Sequence, residues 1–290
     1  MQIRNKLFLG SFVHSKTLDE LDYLHDTAVC VDRTGTIVAV ERDCDEPKAR
    51  DAVFPRLGWG EDDVEVVRAR EGQFFFPGFI DTHLHASQYP NVGIFGNSTL
   101  LDWLNTYTFP LEASLSDLTK ARQVYTRVIR KTLSHGTTCA AYYATISVPS
   151  TNLLADLCLA AGQRALIGRV CMDSDLSPSY YRDPSPPPPS RPQQSIAHIH
   201  RIDPTASLLR PVVTPRFAPS CSLPLMRSSL PWPTTTTSPS KPTSRKTAPS
   251  STSSRPSSPA LTGAKDPPTR ACTTPWGFSH RARFSRMRCI

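Results

Sequence analysis

No glutamate occurs beyond Glu112 in this chain, and no Cys-x-x-Cys pair occurs anywhere. Chemistry that needs a glutamate must therefore draw on the first part of the chain. The eight cysteines (30, 44, 139, 158, 171, 221, 272 and 289) form no dense framework, which argues against a disulfide scaffold or a cysteine-rich zinc module. Cys139, Cys158 and Cys171 lie in apolar segments and read as small buried hydrophobes. Long hydrophobic runs are missing too, so no membrane span is expected. The first ten residues are too short and interrupted for a signal-peptide core. A reducing, soluble compartment is the default, and a cytoplasmic location is expected.

Proline and acidic residues are each scarce in one half of the chain. Residues 1–173 hold 6 of the 28 prolines and carry 17 Lys+Arg against 21 Asp+Glu. Residues 174–290 carry 16 Lys+Arg against 4 Asp+Glu, so the net +8 of the whole describes neither part. Such a basic average alone would suggest an acidic partner. From about Leu230 onward the chain is rich in Pro, Ser, Thr and Arg with one acidic residue, Asp266. That composition buries too little apolar surface to offset its ordering entropy, so residues 231–290 are expected to be disordered.

What is present is periodic. Residues 27–31 and 36–40 flank Asp32-Arg33-Thr34-Gly35, which predicts a hairpin. The apolar run 74–80 predicts a strand. A helix opening near Ser114 or Ser116 follows, with Ser116 a candidate N-cap and Gly136 its stop. Next come a strand over 137–143, a helix over about 151–161 stopped by Gly162, and a strand over 165–172. This alternation is the rhythm of a parallel sheet or barrel, whose active sites lie at the strands' C-terminal ends. Residues 184–195, including Pro186-Pro187-Pro188-Pro189, read as a linker.

His83 and His85 fall at the end of the first of those strands. Alternate residues of a strand share a face, so both imidazoles can converge on one ion, and neutral imidazole suits Zn²⁺. A second His-x-His, His198 and His200, has helical flanks; there residues i and i+2 diverge by about 200°, so it is not read as a ligand pair. His135 reads as a helix-terminal surface residue.

Pro77-Gly78-Phe79-Ile80-Asp81-Thr82-His83-Leu84-His85 resembles the first barrel-strand motif of the amidohydrolase superfamily, metal-dependent hydrolases built on a (β/α)8 barrel. Within it, Ala86-Ser87-Gln88-Tyr89 looks like the guanine deaminase family. So do Leu101-Asp102-Trp103-Leu104-Asn105, His135-Gly136-Thr137-Thr138, Gly162-Gln163-Arg164-Ala165, Val170-Cys171-Met172-Asp173 and Val213-Thr214-Pro215-Arg216-Phe217. The resemblance implies an incomplete barrel over 74–230, preceded over 1–73 by part of a small β-sandwich. It maps His83 and His85 onto zinc ligands. It places His85, Ala86, Ser87 and Gln88 in one purine-binding loop and Arg216 and Phe217 in a second. The chemistry agrees, since the Gln88 amide offers a donor and an acceptor to a base edge and Arg216 can donate to a purine carbonyl.

The departures matter as much. The resemblance also requires a third zinc histidine and a proton-shuttling glutamate in a later His-Ile-Ser-Glu segment, a further histidine strand and an aspartate ligand. None is present here. A shifted reading accounts for them: the last base of each codon is taken with the first two of the next. Over Thr237–Thr247 this permits L-P-I-Q-T-H-I-S-E-N. Over Pro267–Ile290 it permits S-Y-T-G-V-Y-D-A-L-G-L-L-T-P-R-T-V-L-A-H-A-V-H. Two long matches at one offset, in order, imply that the frame is lost between about Leu230 and Thr237. The tail's composition would then reflect out-of-frame translation.

The function expected by resemblance is conversion of guanine and water to xanthine and ammonia with zinc-activated water. This chain is expected to bind zinc weakly and to lack the catalytic glutamate. The alternatives are another deaminase or chlorohydrolase of the superfamily or, from a different class, a nucleic-acid-binding protein using the basic tail. The last is disfavoured, because Trp232, Trp276, Phe278 and Phe284 are the tail's only large aromatics. Guanine is the expected small-molecule partner, and a homodimer is expected of an intact relative.

Overall fold

The computed structural model describes residues 4–94, 96–184 and 190–228. The expectations for residues 231–290, and for the proline run within 185–189, lie outside the described residues.

The first sheet contains β1 (Asn5–Ser15), β2 (Leu21–Val31), β3 (Ile37–Glu41) and β4 (Val64–Arg68), in the order β3-β2-β1-β4. The expected hairpin is there, with Val29 opposite Val40 and Cys30 opposite Ala39. Its turn follows from Asp32, whose Oδ1 accepts the backbone N–H groups of Thr34 and Thr36, while Gly35 takes a φ of 79°. Leu7, Leu9, Ala28 and Cys30 pack against Ala49, Val53 and Phe54.

A four-stranded second sheet and a separate two-stranded sheet carry the candidate site. Their strands are β5 (Phe79–His85), β6 (Thr137–Tyr143), β7 (Arg164–Gly168), β8 (Val170–Cys171), β9 (Leu209–Pro211) and β10 (Thr214–Pro215). Strands β5-β6-β7-β9 pair in that order and all in parallel, while β8 pairs with β10. Helices Leu118–Ser134, Val148–Ala161 and Ser190–Ile202 connect them. One face of the first helix, Ala121, Val124, Tyr125, Val128 and Ile129, is buried with Leu153, Leu154 and Cys158 over Ala140, Tyr142, Ala165 and Ile167. Behind this core, Tyr142 donates to Gln163 Oε1 at 2.9 Å, and Gln163 Nε2 donates to Thr132 Oγ1 and the Thr137 carbonyl at 3.1 Å.

Several sequence expectations need correction. The strand expected over 74–80 begins at Phe79. Phe75 instead bridges to Phe12 of the first sheet, with ring centroids 4.7 Å apart. Pro77 offers no N–H to a ladder, and Gly78 lies so close to β6 that a Cβ would meet Thr138 Oγ1 at 2.0 Å. The next helix is capped by Asp117 rather than Ser116, because the Asp117 carboxylate accepts the N–H groups of Thr119 and Lys120. The helix expected from about 151 starts at Val148, with Ser147 as its cap. Both helices end as expected at glycines of positive φ, Gly136 at 86° and Gly162 at 72°.

The strand expected over 165–172 breaks at Arg169. There the chain changes partners: the Gly168 carbonyl accepts from Ala144 N–H and the Arg169 carbonyl from Thr214 Oγ1. The segment expected as linker over 184–195 is partly helical, since a helix runs from Ser190. Pro192 fits a first helical turn, where a missing N–H costs nothing, and Ser195 and Ile199 are buried on its inner face. On that helix His200 is exposed while His198 Nε2 meets Asp156 Oδ1 at 2.7 Å, so the two diverge. No helix among the described residues is long and apolar enough to cross a membrane.

Candidate functional site

Strand β5 ends at the two histidines. Its period of two brings His83 Nε2 within 3.2 Å of His85 Nε2. The Tyr143 ring, from the end of the neighbouring β6, lies 4.5 Å from the His83 ring and 4.9 Å from the His85 ring. Two nitrogens held at about 2.0–2.1 Å by one tetrahedral ion would sit roughly 3.3 Å apart. The observed spacing fits, so this pair could share an ion. His85 Nδ1 is buried without a hydrogen-bond partner. Among the described residues, no group of three or more His, Cys, Asp or Glu converges to complete a shell.

The second half of the site is built around Glu112. It lies on the short helix Phe109–Ser114 and is 1% exposed. Its Oε1 accepts from Ser87 Oγ at 3.2 Å and from Gln88 Nε2 at 3.1 Å. Its Oε2 accepts from Tyr181 OH at 2.8 Å and pairs with Arg216 Nη1 at 2.5 Å. Arg216 is itself buried, with its guanidinium 5.1 Å above the Phe109 ring. Phe217 packs on the cluster of Leu104, Phe109, Tyr143, Val170, Met172 and Tyr181. Ala86, the first residue of the turn Ala86–Asn91 that carries Ser87 and Gln88, is fully buried.

Electrostatics join the two halves. Burial depresses the His85 pKa to about 4, reinforced by the positive charge of Arg216 and by His83 and opposed by Glu112. A neutral imidazole is the form that binds a metal. Burial, and then the Glu112 charge, raise the Tyr181 pKa well above its ordinary value, so the phenol remains a donor.

The structure thus brings His83 to His85, and gathers Ser87, Gln88 and Arg216 on one carboxylate. Sequence reasoning missed two members of this group. Glu112 could have been found as the one acidic residue inside the apolar stretch 109–115, and as the last glutamate of the chain. Tyr181 carried no such signal, because only the folding of the 172–183 loop delivers its hydroxyl.

A match to the Amidohydrolase family spans residues 74–230, more than half of the chain. The chain belongs to the amidohydrolase family. This amidohydrolase chain is 42% identical over 217 residues to a probable guanine deaminase of Schizosaccharomyces pombe, covering 74% of this chain and 40% of that protein. It is 39% identical over 228 residues to the guanine deaminase of Dictyostelium discoideum, covering 76% and 49%. Among solved structures, the guanine deaminase of C. acetobutylicum with bound guanine matches with a TM-score of 0.63 at 31% identity, over 77% of this chain and 48% of that one. The E. coli guanine deaminase matches with a TM-score of 0.61 at 28% identity, over 77% and 50%. The chain therefore spans about half or less of the length of these relatives.

Proposed function

We propose that this amidohydrolase chain derives from a guanine deaminase, in which water replaces the amino group of guanine to give xanthine and ammonia. The observation that carries the reading is the convergence of Ser87, Gln88 and Arg216, two widely separated segments, on one buried carboxylate beside the His83–His85 pair. Relatives named guanine deaminase, at 42% and 39% identity, support it. In this reading His83 and His85 hold part of the shell of a zinc ion, which when bound supplies a water of lowered pKa. Arg216 donates to the purine carbonyl, the Gln88 amide reads the neighbouring edge, and Phe217 closes one side of the base. A homodimer belongs to the same proposal.

The reading includes the loss of frame. The family match ends at residue 230, just before Thr237, where the shifted reading first yields the missing histidine and glutamate. Two histidines fall short of the three protein ligands usual at a catalytic zinc, so weak, exchangeable binding is expected. Without the glutamate, general acid–base help worth about 10²–10⁴-fold is also absent. The test is xanthine formation from guanine with added Zn²⁺. It compares the 290-residue chain with a version whose frame is restored near codon 232 and extended to its natural end. Turnover is expected only from the restored version. Robust turnover by the 290-residue chain would overturn the frame reading. A well-folded but inactive restored chain would overturn the guanine deaminase reading.

A further inference from the structure

Glu112 is bonded to more of the site than any residue the sequence singled out, yet it faces no open space of its own. Its four partners, Ser87, Gln88, Tyr181 and Arg216, come from three segments distant in sequence. An ionised carboxylate only accepts hydrogen bonds, so the Gln88 amide must turn its NH₂ toward Glu112. That leaves the Gln88 carbonyl oxygen, an acceptor, for a ligand. Arg216 is anchored through Nη1, and its remaining N–H groups can only donate. One carboxylate thus sets the polarity of the Gln88 amide, which would otherwise be free to flip, and the position of the Arg216 guanidinium, which would otherwise be free to rotate.

We propose that Glu112 is a positioning residue that holds Arg216 as donor and Gln88 as acceptor, and so selects a 6-oxopurine carrying ring and amino N–H groups over a 6-aminopurine. The inference rests on the reading that this site holds a purine. Guanine presents a carbonyl acceptor at C6 flanked by N1–H and an amino donor, which complements a donor beside an acceptor. Adenine reverses that order, setting an amino group against the guanidinium and a ring nitrogen against the amide carbonyl. Each reversed contact leaves a buried polar group unpaired, the strongest form of rejection a site can build. Ser87 and Tyr181 occupy the other lone pairs of the carboxylate and keep it from rotating. The cation–π contact with Phe109 fixes the plane of the guanidinium.

The experiment uses the full 290-residue chain with 8-azaguanine and 8-azaadenine as probes, and ligand-observed NMR to give a ratio of dissociation constants. In parallel, a double-mutant cycle of Glu112→Gln and Arg216→Gln is read from urea midpoints with no ligand present. The wild-type chain is expected to prefer 8-azaguanine. Glu112→Gln should lower that preference by at least about tenfold while remaining folded, since a neutral amide neither anchors the guanidinium nor dictates the Gln88 orientation. The cycle should be non-additive. Additive effects would overturn the inference by showing that Glu112 does not hold Arg216. A coupled pair with an unchanged preference in Glu112→Gln would also overturn it, while leaving the purine reading standing. A coupled pair in a wild-type chain that prefers neither base would overturn the purine reading, and the inference with it.

Discussion

His83 and His85 stand at a strand end with their Nε2 atoms 3.2 Å apart, and His85 Nδ1 has no partner. Glu112, a few side chains away in the fold, has both carboxylate oxygens bonded, to four different side chains. The difference follows the order of the chain. Every partner of Glu112 lies between residues 87 and 216, so the described residues complete that cluster. A four-coordinate ion on the histidines would need ligands from outside the described residues. In a barrel, a site is assembled from successive strand ends, so what can be complete depends on how many strands contribute. Here the cluster around Glu112 closes early and the shell around the histidine pair does not.

The largest expected effect is on the closed half. Glu112→Leu leaves Arg216 charged and buried without a partner, and should lower stability by about 3–5 kcal/mol in urea denaturation. Pairing it with Arg216→Met should recover most of that loss, because replacing both partners removes the stranded charge. A single-variant loss below about 1 kcal/mol would erase the contrast between the two halves.

Gly78→Val tests how the histidine strand is seated. Its Cβ would fall 2.0 Å from Thr138 Oγ1, so β5 must shift away from β6 at a cost of about 2–3 kcal/mol. The side-chain NMR signals of His83 and His85 should move with it, while those of Arg216 stay. Equal movement of both would mean that the halves are mechanically one unit.

A smaller effect is expected at the far edge of the same sheet. Burial pushes the Asp203 carboxyl up, but the backbone N–H groups of Leu209, Leu208 and Ser207 and the Ser207 hydroxyl outweigh it and hold the pKa low. The folded state therefore releases this proton more readily than the unfolded chain, whose carboxyl titrates near about 3.9. The resulting stability is present above that pH and is lost as the pH falls through the lower folded value. Asp203→Ala should cost about 2 kcal/mol at pH 7. Urea midpoints of Asp203→Asn at pH 7 and pH 3 should lie closer together than those of the wild type. Midpoints as far apart as in the wild type would show that another group carries the acid sensitivity.

The smallest effect is predicted for the open half. His83 is exposed, so His83→Ala should change stability by no more than about 0.5 kcal/mol. Zinc binding, measured by competition with a chromophoric chelator, should nevertheless weaken, because one of two converging nitrogens is lost. Unchanged zinc affinity would place the ion elsewhere.

Much of this was legible in residue order. The hairpin turn follows from the Asp32 carboxylate and Gly35, and the two helix stops from Gly136 and Gly162. The convergence of His83 and His85 follows from the strand period alone. Strand and helix starts were less legible. Ser116 and Asp117 are both sound N-caps, and only the path of the preceding turn chooses the aspartate. The run 74–80 is apolar throughout, so composition could not show that Phe75 serves the first sheet and Phe79 the second.

By itself the sequence determined the alternation of strands and helices, the face that the two histidines share and the abrupt change of composition near residue 230. Those properties are local: they depend on side-chain periodicity and on the conformations that Gly, Pro and Asp allow over a few residues. Only the tertiary structure decided that Glu112 would be the centre of the site. A buried carboxylate is tolerated where donors from distant segments surround it, and Tyr181 and Arg216 arrive 69 and 104 residues later in the chain.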